Sequence, residues 1–155
     1  MSTWADGLRG PSLFVVAPLT QPTALLLSLL DPDERARREG IANPEARRRF
    51  TTARLARRTV LGAWTGTAPE LLVFVDGLHG KPALPGGPEF NVSHSGDAVL
   101  IGVVDGIPIG VDVERVREKP RLGAIARRFF SESEAAYLEA LDPAERIAAF
   151  YRLWT

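Results

Sequence analysis

Cysteine is absent from the 155 residues, which excludes disulfides, thiolate metal sites and a cysteine nucleophile. Neither sign of charge is in excess. Nineteen basic and nineteen acidic residues cancel, so no global field draws the chain to nucleic acid or to an anionic membrane, and any polyanion site has to be local. Long hydrophobic runs are missing too: none approaches the ~20 residues of a bilayer-spanning helix, and no basic segment precedes an apolar stretch at the N-terminus. These absences leave a soluble, cytoplasmic protein as the expectation. What is present, 45% apolar and 25% charged residues, is ordinary for a globular domain long enough to bury a core.

The most informative stretch runs from Phe90 to Glu114. Within it, Gly110-Val111-Asp112-Val113-Glu114 reads as a β-strand whose period of two puts both carboxylates on one face and both valines on the other, the acids about 6.5 Å apart along the strand. Like charges that close repel unless a cation lies between them, and a hard divalent ion such as Mg2+ takes carboxylate oxygens while leaving positions for water and phosphates. The same pattern also suits a solvated strand face with its valines in the core. Ser93-His94-Ser95 is a poor hydrolase dyad, because adjacent strand residues point to opposite faces and no Gly-x-Ser-x-Gly elbow frames a nucleophile. As polar donors at a strand end before Gly96 these residues suit a phosphate, or simply a histidine hydrogen-bonded near a turn.

Taken together, Asn91-Val92-Ser93-His94-Ser95 and Gly110-Val111-Asp112-Val113-Glu114 resemble the two signatures of the Sfp-type 4'-phosphopantetheinyl transferases, in order and at family-like spacing. The resemblance extends to Gly80-Lys81-Pro82, Arg127-Arg128-Phe129-Phe130-Ser131 and Phe150-Tyr151-Arg152-Leu153-Trp154, and so covers nearly the whole chain. It implies Mg2+-dependent transfer of the 4'-phosphopantetheine arm of coenzyme A to a serine of an acyl or peptidyl carrier protein. By the same match Asp112 and Glu114 hold the metal and act in catalysis, and Ser93, His94, Arg58 and Lys81 bind coenzyme phosphates. Family members are usually monomers. Where relatives place Lys, this chain has Asp33-Glu34, so no coenzyme contact is carried over from that turn.

In chain order, an N-terminal arm over 1–11 precedes a strand at Leu13–Ala17, and helical segments follow at Thr23–Leu30 and from Asp31-Pro32 to Gly40. Asn43-Pro44 opens a longer helix to about Trp64, with an apolar stripe and Arg48, Arg49, Arg54, Arg57 and Arg58 around it. Five arginines read first as a solvated face; the alternative is that one edge meets ligand phosphates. Leu71–Val75 is expected as a strand, followed by a turn-rich connection in which His79 is a loop residue. Strands Phe90–His94 and Ala98–Val104 come next, then a hairpin turn at Asp105-Gly106 into the carboxylate strand. Pro120 closes this region. Helices are expected at Leu122–Phe130, from Ser131 to Leu141, and from Asp142 onward.

The fold class expected is α+β. The resemblance implies a pseudo-two-fold pair of lobes with coenzyme A in the cleft between them: residues 1–105 the first lobe, 106–155 an incomplete second one. The family's third signature, Trp-x-x-Lys-Glu, is entered at Trp154-Thr155 and not finished, so the chain reads as a piece of a longer protein or a shortened relative. The 155 residues alone are then expected to be inactive, lacking a third metal carboxylate. The rival reading is an inactive module that only binds coenzyme A or a carrier protein.

Overall fold

The computed structural model describes residues 10–16, 22–77, 80–117 and 122–155. Most of the expected N-terminal arm, together with Ala17, His79 and Pro120, falls outside them. The chain divides into two compact units, Met1–Val113 and Glu114–Thr155.

The first unit is built on a three-stranded antiparallel sheet in the order β1-β5-β4, with β1 Ser12–Val16, β4 Glu89–Ser95 and β5 Ala98–Val104. β4 and β5 pair from Glu89↔Val104 to Ser95↔Ala98, and Gly96, at φ 58°, takes the left-handed turn that joins them. Alternation then puts Phe90, Val92, Val99, Ile101 and Val103 on one face, with Phe14 and Val16 of β1 in register beside them. Against this face packs α3, Pro44–Thr65, through Ala56, Val60 and Leu61. Leu61, Ile101 and Val103 are wholly buried, each contributing roughly 2–3 kcal/mol of apolar burial.

The helix signals act as their chemistry requires. Asn43 caps α3, its side-chain oxygen accepting from the Ala46 amide at 2.9 Å, and Gly66 at φ 69° ends it. Asp31 and Glu34 form a reciprocal capping box on α2, Pro32–Glu39, with Pro32 in the first turn. The helix expected at Thr23–Leu30 is a single turn, α1, Ala24–Leu27.

Two expected strands are absent. Leu71–Val75 yields a 3-10 turn at Pro69–Leu71 and only Val75–Asp76 as β2, paired with a short strand missed in the sequence, β3, Pro82–Ala83. The reason lies in Arg58, whose Nη1 donates to the Pro69 and Leu72 carbonyls and so takes an acceptor that a ladder would use. The chain turns at Gly106 as anticipated, at φ 76°, but 110–114 forms no strand. Its amides go elsewhere.

The second unit carries three helices among its described residues, α4 Leu122–Phe129, α5 Glu132–Ala140 and α6 Pro143–Trp154. Ser131 caps α5 in a capping box with Glu134, whose carboxyl is held below its ordinary range by hydrogen bonds from the Ser131 hydroxyl and amide. Ala126, Leu138, Ala149, Phe150 and Tyr151 form the core. Phe130 and Trp154 close one side of it, the Trp154 ring stacked on Phe150 at 5.8 Å. Across both units, no described helix is long and apolar enough to cross a membrane.

Candidate functional site

Asn91, Ser93 and Ser95 alternate with the core-facing residues of β4 and belong to the sheet face away from α3. On that face the extended segment 109–113 is held by side chains. The Val111 amide donates to Asn91 Oδ1 at 2.9 Å, and the Val113 amide to Ser93 Oγ at 3.1 Å. Lys81 Nζ donates to the Ile109 carbonyl at 3.0 Å. Gly102, paired with Asn91 in the ladder, makes room for this: a Cβ there would lie 2.6 Å from Val111 Cγ1 and 2.9 Å from Ile109 Cδ1.

The segment carries Asp112 to the surface in a defined pose. Its Oδ1 accepts from the Ser93 hydroxyl at 2.7 Å and from the Val113 amide at 2.9 Å, while the side chain stays exposed. The described hydrogen bonds of Asp112 all fall on Oδ1. A hard-oxygen donor of this kind suits Mg2+, which takes one or two protein carboxylates and completes its shell with water and phosphate. Glu114 opens the second unit, so the unit boundary falls between the two expected metal carboxylates. Among the described residues no cluster of three or more His, Cys, Asp or Glu is assembled.

Ser93 and His94 do not share a face. His94 pairs with Val99 on the α3 side and is exposed, next to the turn where Asp97 is bridged by Arg48 at 2.8 Å and Arg49 at 3.3 Å. The Ser93 hydroxyl donates to Asp112.

Arg58 also departs from expectation. Its side chain is fully buried, with Nε on Glu34 at 2.6 Å, Nη2 on Asp31 at 2.5 Å, and Nη1 on the Pro69 and Leu72 carbonyls. A guanidinium so engaged has no open edge for a ligand. Arg57, over the Phe74 ring, takes the other Glu34 oxygen at 2.7 Å; burial first, then the charge of Arg54, pulls its pKa down to about 10 against the opposing pull of Glu34. Beside this network an open cleft of about 290 Å3 is lined by Arg37, Arg54, Phe50, Phe74, Gly80 and Pro82, with Asp33 and Asp76 among the acids.

In the sequence Glu34 stood out only as a departure from relatives, and no role attached to Gly102 or Asp97. Glu34 carried a signal, since an acid where relatives have Lys has to be answered by nearby cations. Gly102 carried one only in retrospect, as a glycine inside an otherwise apolar strand.

The first unit is thus a mixed helix-and-sheet unit that presents the Asp112 carboxylate at its surface from a segment tied to β4. Residues 108–155 match the family model of the 4'-phosphopantetheinyl transferase superfamily. The slr0495 protein of Synechocystis sp. is 40% identical over 132 residues, covering 83% of this chain and 54% of that protein. The 4'-phosphopantetheinyl transferase HetI of Nostoc sp. is 37% identical over 146 residues, 89% of this chain and 62% of its own length. The 4'-phosphopantetheinyl transferase Sfp of Bacillus subtilis is 32% identical over 146 residues, 92% and 64% respectively. The chain is thus similar to 4'-phosphopantetheinyl transferases over most of its length, and to the superfamily model over residues 108–155. It spans between half and two thirds of the length of these relatives.

Proposed function

We infer that the complete protein transfers the 4'-phosphopantetheine arm of coenzyme A to a serine of an acyl or peptidyl carrier protein. The observation that carries this reading is the Asp112 carboxylate, fixed through Oδ1 by Ser93 and the Val113 amide and open through Oδ2. The names of HetI and Sfp give the reaction class of the relatives, and the Asn91-to-Ser95 and Gly110-to-Glu114 signatures give the matching positions here.

In this reading the carrier serine oxygen bonds to the β-phosphorus of coenzyme A. The bond from that phosphorus to the bridging oxygen breaks, the serine proton passes to a base, and adenosine 3',5'-bisphosphate leaves. Asp112 and Glu114 hold Mg2+, which when bound neutralises charge on the pyrophosphate and the leaving phosphate. Lys81 keeps N–H donors beyond the one on Ile109, and with the exposed His94 is assigned to coenzyme phosphates. The nucleotide end is assigned to the cleft beside Gly80 and Pro82. The pseudo-two-fold pairing of lobes, with a first lobe near 1–105, a cytoplasmic location and a monomeric state complete the proposal.

The test is incubation of the full-length protein with apo carrier protein, coenzyme A and Mg2+, with the carrier followed by mass spectrometry. Gain of the phosphopantetheine mass, lost on chelation, is expected. A carrier that stays unmodified while coenzyme A still binds would favour the inactive binding module. Lys81→Ala should raise KM for coenzyme A more than it lowers kcat, because a remote phosphate is bound alike in ground and transition states.

A further inference from the structure

We propose that Asn91, paired with Gly102 in the sheet, and Ser93, two residues further along the same face of β4, are positioning residues for Asp112: their side chains form a two-rung ladder that replaces the strand pairing missing from 109–113. The catalytic meaning of this ladder rests on the function proposed above; its geometry does not.

The argument begins with backbone accounting. An extended segment lying over a sheet face has amides that no strand edge can satisfy, and unsatisfied amides would leave it loose. Asn91 and Ser93, two residues apart on one face of β4, offer acceptors at the same two-residue period as the amides of Val111 and Val113. The two periods match rung for rung. Glycine at 102 lets the segment descend onto the sheet, because a methyl group there would collide with Val111 and Ile109.

The second rung does more than hold backbone. Ser93 Oγ accepts from Val113 and has a single proton to give, and it gives that proton to Asp112 Oδ1. One carboxylate oxygen is thereby fixed and the other is turned outward.

Amide hydrogen exchange on the full-length protein reads the ladder without reference to activity. Val111 and Val113, outside any strand, should exchange at least tenfold more slowly than exposed loop amides. Asn91→Ala should release Val111, and Ser93→Ala should speed exchange at Val113, whose amide then keeps only the Asp112 Oδ1 acceptor, itself no longer held by the serine hydroxyl, with β4–β5 ladder amides unchanged as the control for folding. Titration with Mn2+ reads the carboxylate: Ser93→Ala should weaken binding about tenfold, and Ser93→Thr, which keeps the hydroxyl, should restore it. Gly102→Ala should release both amides together. Fast exchange of Val111 and Val113 in the unaltered protein, or Ser93→Ala leaving both Val113 exchange and Mn2+ affinity unchanged, would overturn the proposal. Slow, variant-sensitive amides in a protein that transfers nothing would keep the ladder and sink the transferase reading instead.

Discussion

The two ends of α3 use arginine in opposite ways. Near its start, Arg48 and Arg49 reach across to Asp97 in the β4–β5 turn, with side chains from 25% to 44% exposed. Further along, Arg57 and Arg58 converge on Glu34, and all three side chains are no more than 9% exposed. Exposed pairs gain little because water and salt screen them, whereas a buried guanidinium must be answered by acceptors or it destabilises the fold. The difference teaches that the six arginines of one helix are not one feature. A pair fastens a turn from outside; another pair ties α2, the 3-10 turn and α3 together from inside.

The largest break in that comparison should come from Glu34→Ala, which leaves two buried guanidinium groups without their shared carboxylate. A loss of about 3–5 kcal/mol of stability is expected in denaturant unfolding. Arg58→Ala should follow closely, since it also orphans the Pro69 and Leu72 carbonyls. At temperatures where that variant remains folded, its affinity for coenzyme A should be unchanged. A selective loss of coenzyme affinity would return Arg58 to the ligand role that the family resemblance implied.

Asp97→Ala should have the smallest effect, a slight fall in Tm that vanishes near 1 M salt, where screening length drops to about 3 Å. The pH dependence sharpens the same point. Burial raises the Asp97 pKa, but the Arg49 hydrogen bond and the Arg48 and Arg49 charges outweigh it and hold the carboxyl below its ordinary range. A depressed carboxylate contributes stability above its unfolded pKa and loses it as pH falls through the depressed folded value. Thermal melts across the acid range should therefore show the Asp97→Ala difference closing as pH drops, and a difference that widens on acidification would contradict the assignment.

Much of the fold was legible because local chemistry announces itself. Asp31-Pro32, Asn43-Pro44 and Ser131 marked helix starts, and Gly96 and Gly106 take the positive φ of turns. Alternation in 90–95 and 98–104 gave strands and faces together. What failed was β-pattern without a partner. Leu71–Val75 and 110–114 both look like strands, and both lose their ladder to side chains distant in sequence, Arg58 in one case, Asn91 and Ser93 in the other. Periodicity cannot see such a competitor.

The candidate site was legible in its residues and not in its connections. The motif brought Ser93 and Asp112 to attention separately; their hydrogen bond across 19 positions is a product of the fold. Alternation also exposed the conflict between Ser93 and His94, which the strand keeps by holding them on opposite faces.

Asp112→Asn tests the central claim most directly, because it keeps the shape and the Oδ1 acceptor while removing the charge. In the full-length protein, phosphopantetheine transfer measured at saturating coenzyme A and rising Mg2+ should fall by at least 10²–10³ and not recover with added metal. Amide exchange at Val113 should stay slow in the same sample, showing that the segment remains in place. Transfer at the unaltered rate, with Val113 still protected, would mean that Asp112 is a solvated surface carboxylate and that the site lies elsewhere.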